Sequence, residues 1–170
     1  MSRKSSVKKI KRDNSVSKNI EAMLIMFLYE KGYPIISSRF TGCGIGEADV
    51  LAISKTGYIY ECEIKISRAD FKKDFIKEKH TYIKENKFTK ENSDGDIFYL
   101  SPNCFYFVVP ENLIALDEIP GYAGLIYIKS DNTIDVIKKA PFIHKIKATN
   151  KFILSVAHNL TCKLVFNRIS

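Results

Sequence analysis

EADVLAI (47–53), SKTG (54–57) and YIYECEIKI (58–66) are the stretch that decides the fold. They read as two strands flanking a tight turn, and residue parity fixes how the strands pair. With Lys55-Thr56-Gly57 as a three-residue hairpin loop and Gly57 in the left-handed region, Ser54 faces Tyr58. Counting outward sets Leu51 opposite Glu61 and Asp49 opposite Glu63. A two-residue loop would slip the register by one and put Asp49 beside Cys62, on the other face. The position of the glycine therefore favours the register that gathers the carboxylates. Along the second strand, Glu61, Glu63 and Lys65 alternate with Tyr60, Cys62, Ile64 and Ile66. Strand period two sends the charged set to one face and the apolar set to the other.

Upstream, SKNIEAMLIMFLYEKG predicts a helix over about 18–31, capped by Ser17 and ended by Gly32, with Ile20, Met23 or Leu24, Phe27 and Leu28 inward. YPIIS (33–37) predicts a short strand, and SRFTGCGIG (38–46) a flexible loop. That loop has neither the GK[ST] ending of a phosphate-binding loop nor the spacing of a dinucleotide fingerprint. Downstream, Ser67-Arg68-Ala69-Asp70 forms a capping box that opens a helix to about residue 84. Phe71, Phe75 and Tyr82 mark its packed side; Lys73, Lys77, His80 and Lys84 share a basic side. The insert at 85–96 reads as irregular. Strands follow at 104–110, 124–129 and 133–138, then a helix at 150–166 with Phe152, Ile153, Val156, Leu160 and Leu164 inward. This order predicts an α/β fold with a mixed central β-sheet flanked by α-helices.

Residues 1–17 are expected to form a basic, disordered arm ahead of a single domain at 18–170. The net charge is +8 and unevenly spread: residues 1–12 carry six Lys or Arg and no acid, while 91–137 carry eight acids against Lys129 alone. Such polarity suits a partner with closely spaced negative charges, above all nucleic acid. No stretch is apolar enough to span a membrane, the basic arm has no strong apolar face for a membrane surface, and no secretory segment opens the chain. The expected place is the cytoplasm, at the nucleoid or, for a phage-encoded protein, in the host cytoplasm. The four cysteines form no CxxC pair, which argues against a zinc knuckle or a redox dithiol.

Three charges on a strand near the middle of a covered sheet need a reason, because an unpaired buried charge is costly. A divalent metal supplies one. Magnesium takes hard oxygen ligands and keeps some of its waters. Asp49 and Glu63 offer two carboxylates across the hairpin, and the backbone carbonyl of Ile64 a third oxygen. Lys65 can orient or activate an attacking water, or offset charge building on a phosphodiester. Glu61, two residues down the face, can bind a second metal or hold a basic residue. Arg68, Lys73, Lys77, His80 and Lys84 are candidate phosphate contacts, and Gly44 and Gly46 would let the loop approach a nucleic-acid backbone.

Asp49, a turn, and then Glu63-Ile64-Lys65 resemble the D…(D/E)xK signature of the PD-(D/E)xK nuclease superfamily. GEADVLAI…YECEIKISRADFKKDF resembles the MmcB-type DNA repair family and related phage endonuclease-like proteins. CFYFVVPENLI and IPGYAGLIYI continue the likeness, which covers roughly residues 19–139. The resemblance implies a restriction-endonuclease-like core and an Mg²⁺- or Mn²⁺-dependent deoxyribonuclease that leaves 5′-phosphate and 3′-hydroxyl ends. It places the metal carboxylates on Asp49 and Glu63 and the catalytic lysine on Lys65. It also implies an acid from the first helix, Glu21 in preference to Glu30. The residue before Asp49 is Ala48 where the superfamily name has proline, a position that carries no ligand. DNA repair, recombination and phage DNA processing are the implied settings, and a homodimer would allow two strand cuts. The alternative is a DNA-binding repair or recombination component with little turnover.

The arm generates a first prediction. Deleting residues 1–12 should weaken DNA binding and flatten its salt dependence, since fewer phosphate-bound counterions are released. Fluorescence anisotropy over a salt series checks this; an unchanged slope would remove the arm from the interface.

Overall fold

The computed structural model describes residues 3–42 and 45–169, with side chains described over 15–42 and 45–166. Helix α1 (Arg3–Glu30) leads into β1 (Ile35–Gly42), β2 (Gly46–Ile53) and β3 (Ile59–Ile64). Two short helices follow, α2 (Arg68–Asp74) and α3 (Glu78–Lys84), then a small hairpin of β4 (Thr89–Glu91) and β5 (Ile97–Tyr99). Strands β6 (Cys104–Pro110), β7 (Ala123–Ile128) and β8 (Ile134–Lys138) complete the main sheet, and α4 (Asn150–Ile169) closes the chain. The main sheet runs β1-β2-β3-β6-β7-β8. Its two central pairings, β3 with β6 and β6 with β7, are parallel, and the outer ones are antiparallel. This is an α/β protein with a mixed central sheet flanked by helices. No helix among the described residues is long and apolar enough to cross a membrane.

The hairpin keeps the register that parity predicts. Leu51 faces Glu61 and Val50 faces Cys62. Ser54 N–H donates to Tyr58 at 2.9 Å, and Gly57 closes the loop at φ +84°. The two sheet faces divide as the alternation requires. Val50, Ala52, Cys62 and Ile64 pack under Ile20, Leu24 and Leu28 of α1. Gly32, at φ +82°, ends that helix, with Tyr33 N–H bonded back to the Leu28 carbonyl. On the opposite face, Leu51, Ile53 and Ile59 join Phe40, Tyr99, Phe152 and Val156 in one apolar cluster. Phe105, Phe107 and Leu125 join Phe71, Ile114 and Ile119 in another. Glu61 and Glu63 stand on the strand between these two clusters.

Several elements differ from the expectations above. α1 begins well before residue 18; the side chains of 1–14, which hold most of the expected basic arm, lie outside the described residues, as does Gly44. β1 continues to Gly42, because its pairing with β2 extends to Gly42↔Gly46. The insert at 85–96 is not wholly irregular: Thr89–Glu91 pairs with Ile97–Tyr99. The helix expected over 67–84 is broken at Phe75–Lys77 into α2 and α3, although Ser67 caps its start by accepting from Asp70 N–H. In α4, Phe152 and Val156 are buried as expected, but Leu164 is 63% exposed.

The entry of β3 depends on one buried amide. Asn103 Oδ1 accepts from Ile59 N–H at 2.7 Å, and its Nδ2 donates to the carbonyls of His144 and Ile146 at 2.9 Å each. Asn103→Ala leaves three backbone groups without this partner and should cost about 3 kcal/mol of stability by urea unfolding. A loss under about 1 kcal/mol would mean that water replaces the amide.

Candidate active site

The β2–β3 ladder brings the sequence motif together. One step beyond the Val50↔Cys62 pair, the Ile64 amide donates to Asp49 Oδ2 at 2.7 Å. Asp49, Glu63 and the Ile64 peptide are thus assembled where the β2–β3 ladder ends. Asp49 is half-buried, while Glu61, Glu63 and Lys65 are buried. Glu63 is the centre of a charge network. Its Oε2 accepts from Lys65 and from Lys77, both at 2.8 Å, and its Oε1 from Lys79 at 2.8 Å. Lys79 also donates to Glu61 and to the Glu47 carbonyl. Lys65 and Lys77 reach Asp74 Oδ1 as well, at 2.7 and 2.8 Å.

Two of these partners were not singled out in the sequence. On a continuous helix, Asp74 and Lys79 would fall on the packed side with Phe71, Phe75 and Tyr82, so helical period alone marked them as inward charges. His80 stands apart from the expected basic side. It is 1% exposed, with Nε2 2.8 Å from Asp74 Oδ2 and Nδ1 2.9 Å from Tyr122 Oη. Lys77 turns from that side into the cluster and stays 41% exposed. Lys73 and Lys84 are exposed, and Arg68 is held by Glu118 and the Leu113 carbonyl. Glu21 is on the helix of the opposite face, where its carboxylate pairs with Arg39 at 3.3 Å; the structure does not bring it to Asp49 and Glu63. Gly46, at φ +83°, lines a cleft of about 340 Å³ with Glu47, Lys77, Lys79 and Tyr82.

The electrostatics follow from a count. Four carboxylates (Asp49, Glu61, Glu63, Asp74) meet three ammoniums (Lys65, Lys77, Lys79), with the His80 imidazole as a further base against Asp74. Glu61 and Asp49 are the two acids that burial raises most plainly. Burial pushes Glu61 up to about 7 against the pull of Lys79, and its Oε2 has no protein partner among the described residues. Burial, and then repulsion from Glu63, raise Asp49 despite the Ile64 amide. Burial opposes charge on Glu63 and Asp74 too, but is outweighed. Lys79 and Lys65 hold Glu63 below the usual carboxylate range, and the bond to His80 with the charge of Lys65 holds Asp74 well below it. Burial also works against charge on Lys65, yet Glu63 and Asp74 keep its ammonium above the ordinary lysine range.

The donor set can be tested against a divalent cation. Asp49 and Glu63 are hard oxygen donors that repel each other, and Asp49 Oδ1 has no protein partner among the described residues. With the Ile64 carbonyl and water they fit a magnesium-like ion, which retains waters and needs few protein ligands. Among the described residues no third acid, histidine or cysteine converges there. Glu63 can serve only by yielding an oxygen now held by a lysine.

No family model and no curated protein matches this chain. Among solved structures, it resembles the SPO1766 protein of unknown function from Silicibacter pomeroyi. The TM-score is 0.59 at 19% sequence identity, with 83% of each chain covered. That likeness shows a shared fold.

The shifted acids give opposite pH dependences. Glu61, raised in the folded state, contributes stability that is full below its ordinary value of 4.5 and lost as pH rises through about 7. Glu63 and Asp74, depressed, contribute stability above their ordinary values that is lost as pH falls below them. Thermal melts of the parent and of Glu61→Gln should therefore diverge in favour of the variant between pH 4.5 and 7, while both keep the acid limb. Parallel curves across that window would show that Glu61 ionises as it does in water.

Proposed function

We propose that the chain is a metal-dependent deoxyribonuclease on a restriction-endonuclease-like core, related to the PD-(D/E)xK nucleases and, among them, to the MmcB-type DNA repair and phage endonuclease-like proteins. The observation that carries this reading is the assembly of Asp49, Glu63, the Ile64 peptide and Lys65 by a hairpin register that its own glycine dictates. Asp49 and Glu63 would hold Mg²⁺ or Mn²⁺, with the Ile64 carbonyl as a third oxygen. When bound, the ion supplies Lewis-acid polarisation of a phosphate and an acidified water. Lys65 acts as a cation. With its ammonium held above the ordinary range, it offsets charge building on the phosphodiester instead of taking a proton from water. Glu61 keeps Lys79 in place at the floor of the site. The cleft beside Gly46 and the exposed Lys73 and Lys84 offer a path for a DNA backbone, in the cytoplasm, by a monomer or a homodimer.

A second reading, a DNA-binding repair or recombination component with little turnover, is favoured by one specific observation. Both oxygens of Glu63 are already satisfied by lysines, so the cluster is close to neutral without a metal.

Cleavage of supercoiled, linear, single-stranded and branched DNA with Mn²⁺, joined to calorimetric Mn²⁺ titration, separates the two. Asp49→Asn and Glu63→Gln should each weaken Mn²⁺ binding by at least about 10-fold and abolish cleavage. Lys65→Met should bind Mn²⁺ as well as the parent or better, having freed Glu63 Oε2, yet cut about 100-fold more slowly. A Lys65→Met protein that cuts at the parent's rate removes Lys65 from the chemistry. A parent that cuts nothing under these conditions leaves the binding component as the better reading.

A further inference from the structure

We propose, resting on the nuclease reading, that Asp74 is a positioning residue which aims the Lys65 ammonium, and that His80 and Tyr122 fix Asp74 in turn. A lysine carries a point charge on a flexible four-carbon stem and has no direction of its own. Here its place is fixed by two anions: Glu63 Oε2, which accepts a hydrogen bond at 2.8 Å, and Asp74 Oδ1, an ion-pair partner at 2.7 Å. Together they hold its charge beside the Asp49–Glu63 pair, on both of whose acids it acts. Glu63 alone could not do this reliably, because a metal would draw on the same carboxylate. Asp74 touches no proposed metal ligand directly and keeps its hold when Glu63 is shared.

Asp74 is itself immobilised. Its Oδ2 meets His80 Nε2 at 2.8 Å, and His80 Nδ1 meets Tyr122 Oη at 2.9 Å. The imidazole is wedged among aromatic rings, with centroids 5.2 Å from Phe75 and 5.3 Å from Phe105, and it stacks on Phe107 at 6.2 Å. It therefore cannot swing away from the carboxylate.

Helix stability does not account for Asp74. It is the last residue of α2, where the helix dipole disfavours a negative charge, and it is buried, which disfavours it further. An acid that is costly on both counts, and that faces a lysine proposed for the chemistry, is placed for what it does to that lysine.

The test uses the full chain, with Asp74→Asn, His80→Phe and Tyr122→Phe beside the parent. Cleavage is measured at saturating Mn²⁺, and the Lys65 ammonium is followed by ¹H–¹⁵N spectroscopy of ¹⁵N-lysine-labelled protein without metal. Lys65→Met assigns its signal. Asp74→Asn should lower kcat about 100-fold while KM for DNA stays within about 3-fold, and should shift the Lys65 signal or lose it to exchange. His80→Phe keeps a ring in the aromatic pocket and should lower kcat about 10-fold in the same sense, with Tyr122→Phe smaller again. A purely structural Asp74 would lower the melting temperature and leave the Lys65 signal of the folded protein unmoved. Should Asp74→Asn fail to fold, His80→Phe decides, since it leaves both charges in place. A folded Asp74→Asn that cuts at the parent's kcat overturns the inference alone. A parent that cuts nothing overturns the nuclease reading, and the Lys65 signal then decides by itself whether Asp74 holds the ammonium.

Discussion

Glu63 is a charge on the third of six strands, with apolar clusters on either side of it on the same sheet face, and the neighbourhood is arranged around satisfying it. Taking a carboxylate out of water costs several kcal/mol even after relaxation, and that cost is met only when the partners and remaining hydrogen bonds are in place. Three ammoniums supply them: Lys65 from the end of the same strand, Lys77 and Lys79 from across the sheet face. The last two explain the shape of the backbone. Residues two apart on a continuous helix point nearly opposite ways and cannot both reach one carboxylate. Lys77 instead has extended geometry, with ψ 137°, and α3 starts afresh at Glu78. The break between α2 and α3 is thus the structural consequence of a buried acid on β3.

A cluster of this kind is poor value as a stabiliser. Well-packed hydrophobic residues of similar volume are commonly as stable as a buried ion network, or more so. The adjoining clusters show that this fold can fill such space with Phe105, Phe107, Leu51 and Ile53. Four acids and three lysines persist beside them; one of those acids, Asp74, sits at the C-terminus of α2, and another, Glu61, keeps an oxygen with no protein partner among the described residues. Each of these is a local cost that folding does not require. Their convergence where the β2–β3 ladder meets α2 and α3 is the pattern expected of a site, where unfavourable charge is retained for chemistry.

The parts of the fold that depend on local backbone chemistry were legible in the sequence. Gly57 fixed the loop, period two fixed the faces, and together they gave the Leu51↔Glu61 register that the strands adopt. Gly32 and Ser67 likewise marked a helix end and a helix start. What escaped was set by tertiary charge pairing. FKKDFIKEKH has no glycine or proline to announce a break, and its hydrophobic residues suit one continuous helix. Only Ile76, 83% exposed, betrays in the structure that the periodicity fails there. Because that break has no local signal, period alone puts His80 on a solvent side that it does not reach, and gives no sign that Lys77, though 41% exposed, turns its ammonium into the cluster. β4 and β5 give no signal for the opposite reason: they are three residues each and carry no apolar alternation.

The three lysines are not equivalent, and their differences rank what the cluster can do. Lys65 and Lys79 are buried, so on leaving Glu63 neither ammonium regains water, and each would be left with one carboxylate, Asp74 or Glu61. Lys77 remains accessible, and on leaving it regains water at once. It also lies on the open side of the site, lining the cleft with Gly46 and Glu47. Any cation that shares Glu63 with Asp49 must displace an ammonium from a carboxylate oxygen. The least costly exchange is at Oε2 with Lys77, on the side open to solvent. The same exchange would leave Lys65 still bound to Asp74 and Lys79 still bound to Glu61, so the deep half of the network keeps its geometry while the shallow half changes partners.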